Sequence, residues 1–440
     1  MNRRTFLATA AAAGTGMAVA RTALGQSGPT SSTDDINVAI IGVGAEGRVL
    51  MNAMLNIKGV RFKAICDIWS YSQRYGQRYL KKYGHDVNVY EDYREMLDKE
   101  KDLDAVVVAT PDWMNAEHAI ACMEAGHHVY CEKEMSNSLE KARQMVLAAR
   151  RTGKLLQIGH QRRSNPRYLY AINSLVHDHQ LLGRVMQANA QWNRGVSSDL
   201  GWPKSYTMDP AKLAKYGYDS MSQFRNWRWY RKYGGGPIVD LGSHQIDIFS
   251  WVFQSQPKAV TATGGIDYYT HHEWYDTVMA LYDFDTPEGN ARAFYQVLTT
   301  TSNGGYYETF MGTDGTLVIS ENPNKTKVLR ETYAPDWQKW VNSGVLAREV
   351  APVQPLPEKE EAVLDVRESA ELESWALPVH LTKPYHQPHL ENFFDAIRIG
   401  KPLNCPAQIG YETAVAVLTV NDAVETGKKI EFKKEDFEVA

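Results

Sequence analysis

The run "GGGPIVDLGSHQID", Gly234 to Asp247, sets Asp240, His244 and Asp247 behind three glycines. Asp240 and His244 are four residues apart, so a helix would carry both on one face. Asp247 follows His244 by three and extends the same surface. An unperturbed imidazole titrates near about pH 6.5, which suits it to take and return a proton at working pH. A carboxylate beside it can orient the ring, stabilise its charged form or bond a substrate hydroxyl. The plainer alternative is an early-turn acid that favours the helix dipole, followed by a core histidine. Glycines at the entry let backbone and ligand approach closely.

A second constellation opens the body of the chain. In "INVAIIGVGAEGRVLMNAM" a short β-rich run, 36–41, leads into Gly42-Val43-Gly44-Ala45-Glu46-Gly47 and then into helical composition. Strand, G-x-G-x-x-G and helix in that order are the context of a dinucleotide site. Gly42 permits the tight turn, Gly44 and Ala45 let backbone meet a pyrophosphate, and Gly47 lets helix and strand pack closely. The pyrophosphate would rest on the free N–H groups of the helix start. A second strand, "VRFKAICD", ends on Asp67, where an acid binds both ribose hydroxyls and repels a 2′-phosphate. NAD is therefore the expected cofactor, with NADP kept open because Arg74 lies nearby.

The elements that follow alternate as a parallel sheet requires. Residues 105–109 are a buried-type strand stopped at Thr110-Pro111, 116–125 is a helix, and 127–131 is a further strand ending in Glu132-Lys133-Glu134. Ligands gather at the carboxyl ends of such strands, so Thr110, Pro111, Trp113, Asn115 and Glu132 should face the cofactor. After the strand "KLLQIGH", His160 and Arg163 are candidate substrate contacts, the alternative being a solvated helix start. From residue 183 onward strands succeed one another without helices between them, and Asp314-Gly315 is a hairpin signal, which fits an antiparallel sheet. The stretch from Lys327 to Pro378 reads as an insertion or long loop system, and "YHQPH" as loop before a C-terminal amphipathic helix.

Composition narrows the class. At 43% hydrophobic and 23% charged, 440 residues can bury a large core. A formal charge of −4 without a Lys/Arg cluster argues against nucleic acid, and the body of the chain lacks an apolar run long enough to span a membrane. The four cysteines form no C-x-x-C pair, and Cys66, Cys122 and Cys131 read as core residues, so no metal is expected. The first 25 residues, with Arg3-Arg4, Phe6-Leu7, an Ala-rich stretch and a small-residue end, resemble a twin-arginine export signal. A polar linker over 26–35 then precedes a dinucleotide domain at 36–160 and a substrate and oligomerisation domain at 161–440. The expected location is periplasmic, or otherwise outside the cytoplasm by the twin-arginine route.

The Gly-rich loop, the strand-Ala-Thr-Pro turn, "GHHVYCEKE" and "GGGPIVDLGSHQID" together resemble the Gfo/Idh/MocA oxidoreductase family. The resemblance implies an α/β chain: an N-terminal Rossmann domain and a C-terminal α+β domain with a largely antiparallel open sheet, the active site lying between them. It also implies that Lys133 sits near the nicotinamide and the reacting hydroxyl, and that the Asp240-x-x-x-His244 pair faces substrate. Glu134 stands where the family has proline, and an acid there could pair with Lys133 or raise its pKa.

The expected activity is hydride transfer between a sugar or cyclitol carbinol carbon and a nicotinamide. His244 would remove the hydroxyl proton and Lys133 would stabilise the alkoxide. Free NAD is not expected outside the cytoplasm, so export implies a tightly held cofactor in a closed redox cycle. The alternatives are an NAD-dependent glycosidase acting through a transient keto sugar, and a non-catalytic sugar- or nucleotide-binding protein. The expected partner is a small carbohydrate, with self-association through the C-terminal sheet.

Overall fold

The computed structural model describes residues 35–348 and 372–440. The expected export signal and all of the expected linker but Asp35 lie outside the described residues.

Strands β1 (Ile36–Ile41), β2 (Val60–Cys66), β3 (Asn88–Tyr90), β4 (Ala105–Val108), β5 (His128–Cys131) and β6 (Leu156–Ile158) form a parallel sheet in the order β3-β2-β1-β4-β5-β6. Both faces are covered, which is why "AVVV" of β4 can be apolar throughout and fully buried. Helices α1 (Ala45–Met54), α2 (Ser70–Lys82), α3 (Tyr93–Lys99), α4 (Asp112–Glu124) and α5 (Leu139–Thr152) connect the strands. Local signals set their ends: α5 begins where the Ser138 hydroxyl accepts from the Lys141 amide, and stops at left-handed Gly153. From β1 the chain winds outward to β2 and β3, then crosses back to β4. The loops after β1 and β4 therefore diverge and leave a crevice at the carboxyl ends of the strands.

The second sheet contains β7 (Val185–Asn193), β8 (Pro257–Gly265), β9 (Thr277–Thr286), β10 (Gly289–Leu298), β11 (Tyr306–Gly312), β12 (Gly315–Ile319) and β13 (Lys327–Arg330). The short β14 (Ala347–Arg348), β15 (Glu373–Ala376) and β16 (Ile430–Glu431) extend it at its edges. Neighbours run antiparallel apart from β7 and β10, so the antiparallel expectation holds with one parallel pair inside it. The stretch read as loop beyond Lys327 supplies β13, β14 and β15. Among the described residues, the three longest helices of this part are α6 (Gly236–Phe253), α7 (Gln387–Ile399) and α8 (Ala407–Thr426).

On β9, Val278, Ala280, Tyr282 and Phe284 point into the core, while Met279 and Leu281 on the other face are exposed. Helix α6 packs on β7 and β10 and is buried nearly all round, as its high apolar content requires. Helix α7 returns to the first sheet: Leu390, Phe393 and Phe394 join the cluster that holds Ile36, Val38 and Ile40. Residues 161–440 thus supply part of the dinucleotide domain's own core. The "YHQPH" loop reading also changes. Gln387 and His389 lie inside α7, because Pro388 is tolerated in a first turn where its missing N–H has no partner to lose.

Candidate functional site

A cavity of about 900 Å³ runs from the Gly-rich loop after β1 to the first two turns of α6. At the outer end the glycines are sterically required. Gly42 has φ 92°, and a Cβ on it would run into the Ala109 carbonyl. A Cβ on Gly44 would meet nothing within 4 Å, so the loop leaves open space in front of α1. No side chain caps the first amides of α1, and they remain available to an anion. Asp67 accepts from the Val43 and Trp69 amides at 2.8 Å each, and burial raises its carboxyl against the pull of these bonds.

The strand-end residues divide into lining and support. Gly42, Gly44, Ala45, Asp67, Thr110, Pro111, Trp113, Glu132 and Lys133 line the cavity. Gly47 and Asn115 lie outside its lining. Gly47 packs α1 against the loop, a Cβ there striking the Gly42 carbonyl. Asn115 is a strut: its amide donates to the carbonyls of Glu132 (3.3 Å) and Glu134 (2.8 Å) and accepts from the Thr110 hydroxyl (2.9 Å).

The polar centre sits where β5 meets α6. Lys133 Nζ donates to the Asp240 carbonyl at 2.6 Å and to Oδ1 at 3.3 Å. Arg228 Nε donates to the same Oδ1 at 3.0 Å. Burial alone would raise Asp240, but Arg228, then Lys133 and Arg194, hold its carboxyl well below the usual range. Asp240 therefore grips Lys133 and Arg228, and the expectation that it orients the His244 ring is corrected. His244 is 8% exposed, and its Nδ1 has no partner among the described residues. Burial, followed by Lys133 and Arg162, holds its pKa well below the ordinary value, so the ring is neutral at neutral pH. Trp192 lies against it, with ring centroids 5.6 Å apart.

Glu134 does not pair with Lys133. Its carboxylate accepts from the Met135 amide at 2.8 Å, and the bond joining it to Lys133 is cis. Burial raises this carboxyl to about 8. Burial and then Glu46 raise Glu132 to about 8 as well.

The three candidate substrate contacts, His160, Arg163 and Asp247, also lie outside the cavity lining. Arg163 Nε bonds both Asp247 oxygens at 2.9 Å, and the Thr413 hydroxyl donates to Asp247 Oδ1 at 2.9 Å. These two charges satisfy each other, so the reading that they face substrate is corrected. His160 is 1% exposed and buried behind the site. Of the aromatic rings around the site, Trp192 and Trp227 line the cavity. Trp202 and Tyr230 pack with Trp69, Tyr218 and Tyr233, and Trp229 stacks on His272 at 4.2 Å. The sequence reading missed Arg228, Arg194 and His386, whose Nε2 lies 3.1 Å from Glu46. Nothing in "FRNWRWYRK" separates Arg228 from its neighbouring arginines. His386 was passed over as loop.

Comparisons with known proteins agree with this geometry. The family model described as "Oxidoreductase family, NAD-binding Rossmann fold" matches residues 36–160, and that of the "GFO/IDH/MocA C-terminal domain" matches 175–318. A D-glucoside 3-dehydrogenase of Escherichia coli (strain K12) is 30% identical over 222 residues, covering 50% of this chain and 55% of the relative. A 4-carboxy-2-hydroxymuconate-6-semialdehyde dehydrogenase of Sphingobium is 32% identical over 174 residues, 39% of this chain and 53% of the relative. The chain thus spans about half the length of these curated relatives. The crystal structure of an aldose–aldose oxidoreductase from Caulobacter crescentus, complexed with glycerol, superposes with TM-score 0.66 at 18% identity, covering 90% of this chain and 100% of that one. The two family models together span more than half of the sequence, and the chain belongs to the Gfo/Idh/MocA oxidoreductase family, with an NAD-binding Rossmann domain at its N-terminal end.

Proposed function

We propose that this chain interconverts a hydroxyl-bearing carbon of a carbohydrate or cyclitol and the corresponding carbonyl, using a nicotinamide dinucleotide held at the carboxyl ends of the parallel strands. The observation that carries the reading is one cavity joining the uncapped start of α1 to the Lys133–Asp240–Arg228 cluster and His244. The residues fit the cofactor. Gly44 leaves room beside free amides, and each Asp67 oxygen keeps a second lone pair for a ribose hydroxyl. Arg74 is absent from this cavity's lining and lies over Tyr206 at 5.7 Å in a separate cleft, which favours NAD over NADP.

A bound nicotinamide supplies acceptance and return of two electrons as hydride. In the oxidative direction the neutral His244 imidazole takes the hydroxyl proton. The Lys133 ammonium, aimed by Asp240, faces the negative charge left on oxygen. In reduction the same two groups act in reverse. The names of the D-glucoside and aldose–aldose relatives support a carbohydrate substrate.

The N-terminal 25 residues support export by the twin-arginine route, with cofactor loaded before export and recycled in place. The exposed Met279 and Leu281 on the open face of the second sheet support self-association there, which sedimentation velocity would register as a dimer or larger. The test of the whole reading is to purify the mature chain without added cofactor, denature it in acid and weigh the released nucleotide. Stoichiometric NAD supports a tight site and a closed cycle. An empty protein that binds NAD reversibly removes the closed cycle, and one that does not bind NAD overturns the proposal.

A further inference from the structure

The charges around Asp240 and His244 are unevenly matched. Lys133, Arg194 and Arg228 all line this part of the cavity. Asp240 meets the first and the last of them. Glu321, another lining acid, is already bonded to the buried Arg162 at 3.2 Å. Asp112 is buried, and burial raises its carboxyl to about 7, so at neutral pH it is only partly ionised.

Arg194 directly follows β7. Its backbone amide donates to the Leu298 carbonyl at 2.8 Å, which fixes the main chain. Its guanidinium lies 5.2 Å over the Trp192 ring and meets no carboxylate among the described residues. The two terminal nitrogens of Arg228 are likewise without a partner among the described residues, its Nε being taken by Asp240. Trp192 is itself held in place: Tyr306 stacks on it at 4.6 Å and 21°, and Arg162 lies 5.5 Å over it. Arg194 and His244 thus flank one immobilised aromatic ring. An unpaired guanidinium fork on the wall of a concave site is a receptor for a planar oxyanion, and matches a carboxylate through two parallel N–H bonds.

We infer that the substrate carries a carboxylate, as in a uronic acid or sugar acid, seated on Arg194 with Arg228 beside it, one sugar ring away from the carbon served by His244 and Lys133. This inference rests on the carbohydrate oxidoreductase reading above. Arg194 fixes which end of the ring points outward, and the choice of reacting hydroxyl follows from that orientation.

The test uses the full mature chain loaded with NAD and paired ligands of gluco, galacto and manno configuration, each hexuronate beside its neutral hexose and its 6-phosphate. Turnover and the ligand-induced change in Tm are both read. The expected result is at least one pair in which the acid is favoured about tenfold or more in KM over the neutral sugar. In Arg194→Ala that ratio collapses towards one, and Arg194→Lys keeps part of it. Equal or better handling of the neutral sugar in every pair overturns the inference while leaving the oxidoreductase reading standing. So does an acid-to-neutral ratio that Arg194→Ala leaves unchanged, or a preference for the 6-phosphate. If no ligand is turned over or moves Tm, the carbohydrate reading itself falls, and the inference with it.

Discussion

Asp240 and Asp247 stand two turns apart on α6, on the same face, and each is bonded to an arginine. In both, burial pushes the carboxyl up and the arginine wins, so both are held below the usual carboxylate range. What differs is the third partner and the space in front. Asp240, with its side chain 17% exposed, also holds Lys133 and faces the cavity. Asp247, 1% exposed, is closed off by Arg163 and by Thr413 of α8. The same residue type at helical spacing is a working carboxylate in one place and a bolt between helices in the other. The decision is made by what packs over each turn of α6, which residue spacing does not record.

The largest effect expected from breaking this pattern is on the residue between the two acids. His244→Ala should lower turnover by about 10²–10⁴. NAD retention should stay close to wild type, because Nδ1 of this ring has no partner to lose among the described residues. A rate within a few-fold of wild type would remove His244 from the mechanism. The wild-type pH profile sharpens the point. The His244 pKa is lowered, so the ring remains a base as pH falls through about 6.5, and the acid limb of kcat/KM in the oxidative direction belongs below that value. A limb at or above it contradicts the environment described here.

Next in size is the pair Asp247→Asn and Asp240→Asn. Removing Asp247 leaves Arg163, 12% exposed, as a buried cation without its partner, a loss of about 3–5 kcal/mol that appears as a lower Tm. The rate per folded molecule should change little. Asp240→Asn should do the reverse: a smaller fall in Tm, since the half-exposed Arg228 can turn to water, and a turnover lower by about tenfold to a hundredfold as Lys133 loses its aim. If both substitutions act alike on Tm and rate, the distinction between an open and a closed carboxylate fails. Acid titration gives the sign for both. Their folded pKa values lie below the unfolded value of about 3.9, so their stabilisation is present above it and is lost as pH falls through the folded values.

The sequence revealed the scaffold better than the site's fine structure. The Gly42-x-Gly44-x-x-Gly47 loop, Asp67 and the run of apolar β4 are local patterns whose physics is complete within a few residues, and they stand where the pattern put them. Lys133, Asp240 and His244 line one cavity, yet the bond between the first two is not legible in the sequence, because it spans 107 residues. Arg163 and Asp247 look just as reactive on paper, and only their approach across 84 residues shows that they satisfy each other. Arg228 was invisible among the arginines around it. The loop reading of "YHQPH" failed for a local reason: a proline in the first turn is a helix signal as much as a breaker.

The smallest expected effect concerns which carboxylate belongs to Lys133, and it tests the comparison at its root. Glu134 is adjacent in sequence, yet Lys133 turns to Asp240, and burial raises Glu134 to about 8. Between about pH 4.5 and 8 the folded chain thus keeps a proton on Glu134 that the unfolded chain has released. Stability should then fall as pH rises across that window. Glu132, also raised to about 8, contributes with the same sign. Glu134→Gln keeps the shape and removes one of the two contributions, so the decline of Tm from pH 5 to pH 8 should become shallower without cofactor present. Were Glu134 instead an ionised partner of Lys133, its removal would lower Tm most at high pH and steepen the decline. The direction of that change in slope decides whether Lys133 is held across the cavity, by the helix that carries His244, or by its own neighbour on the strand.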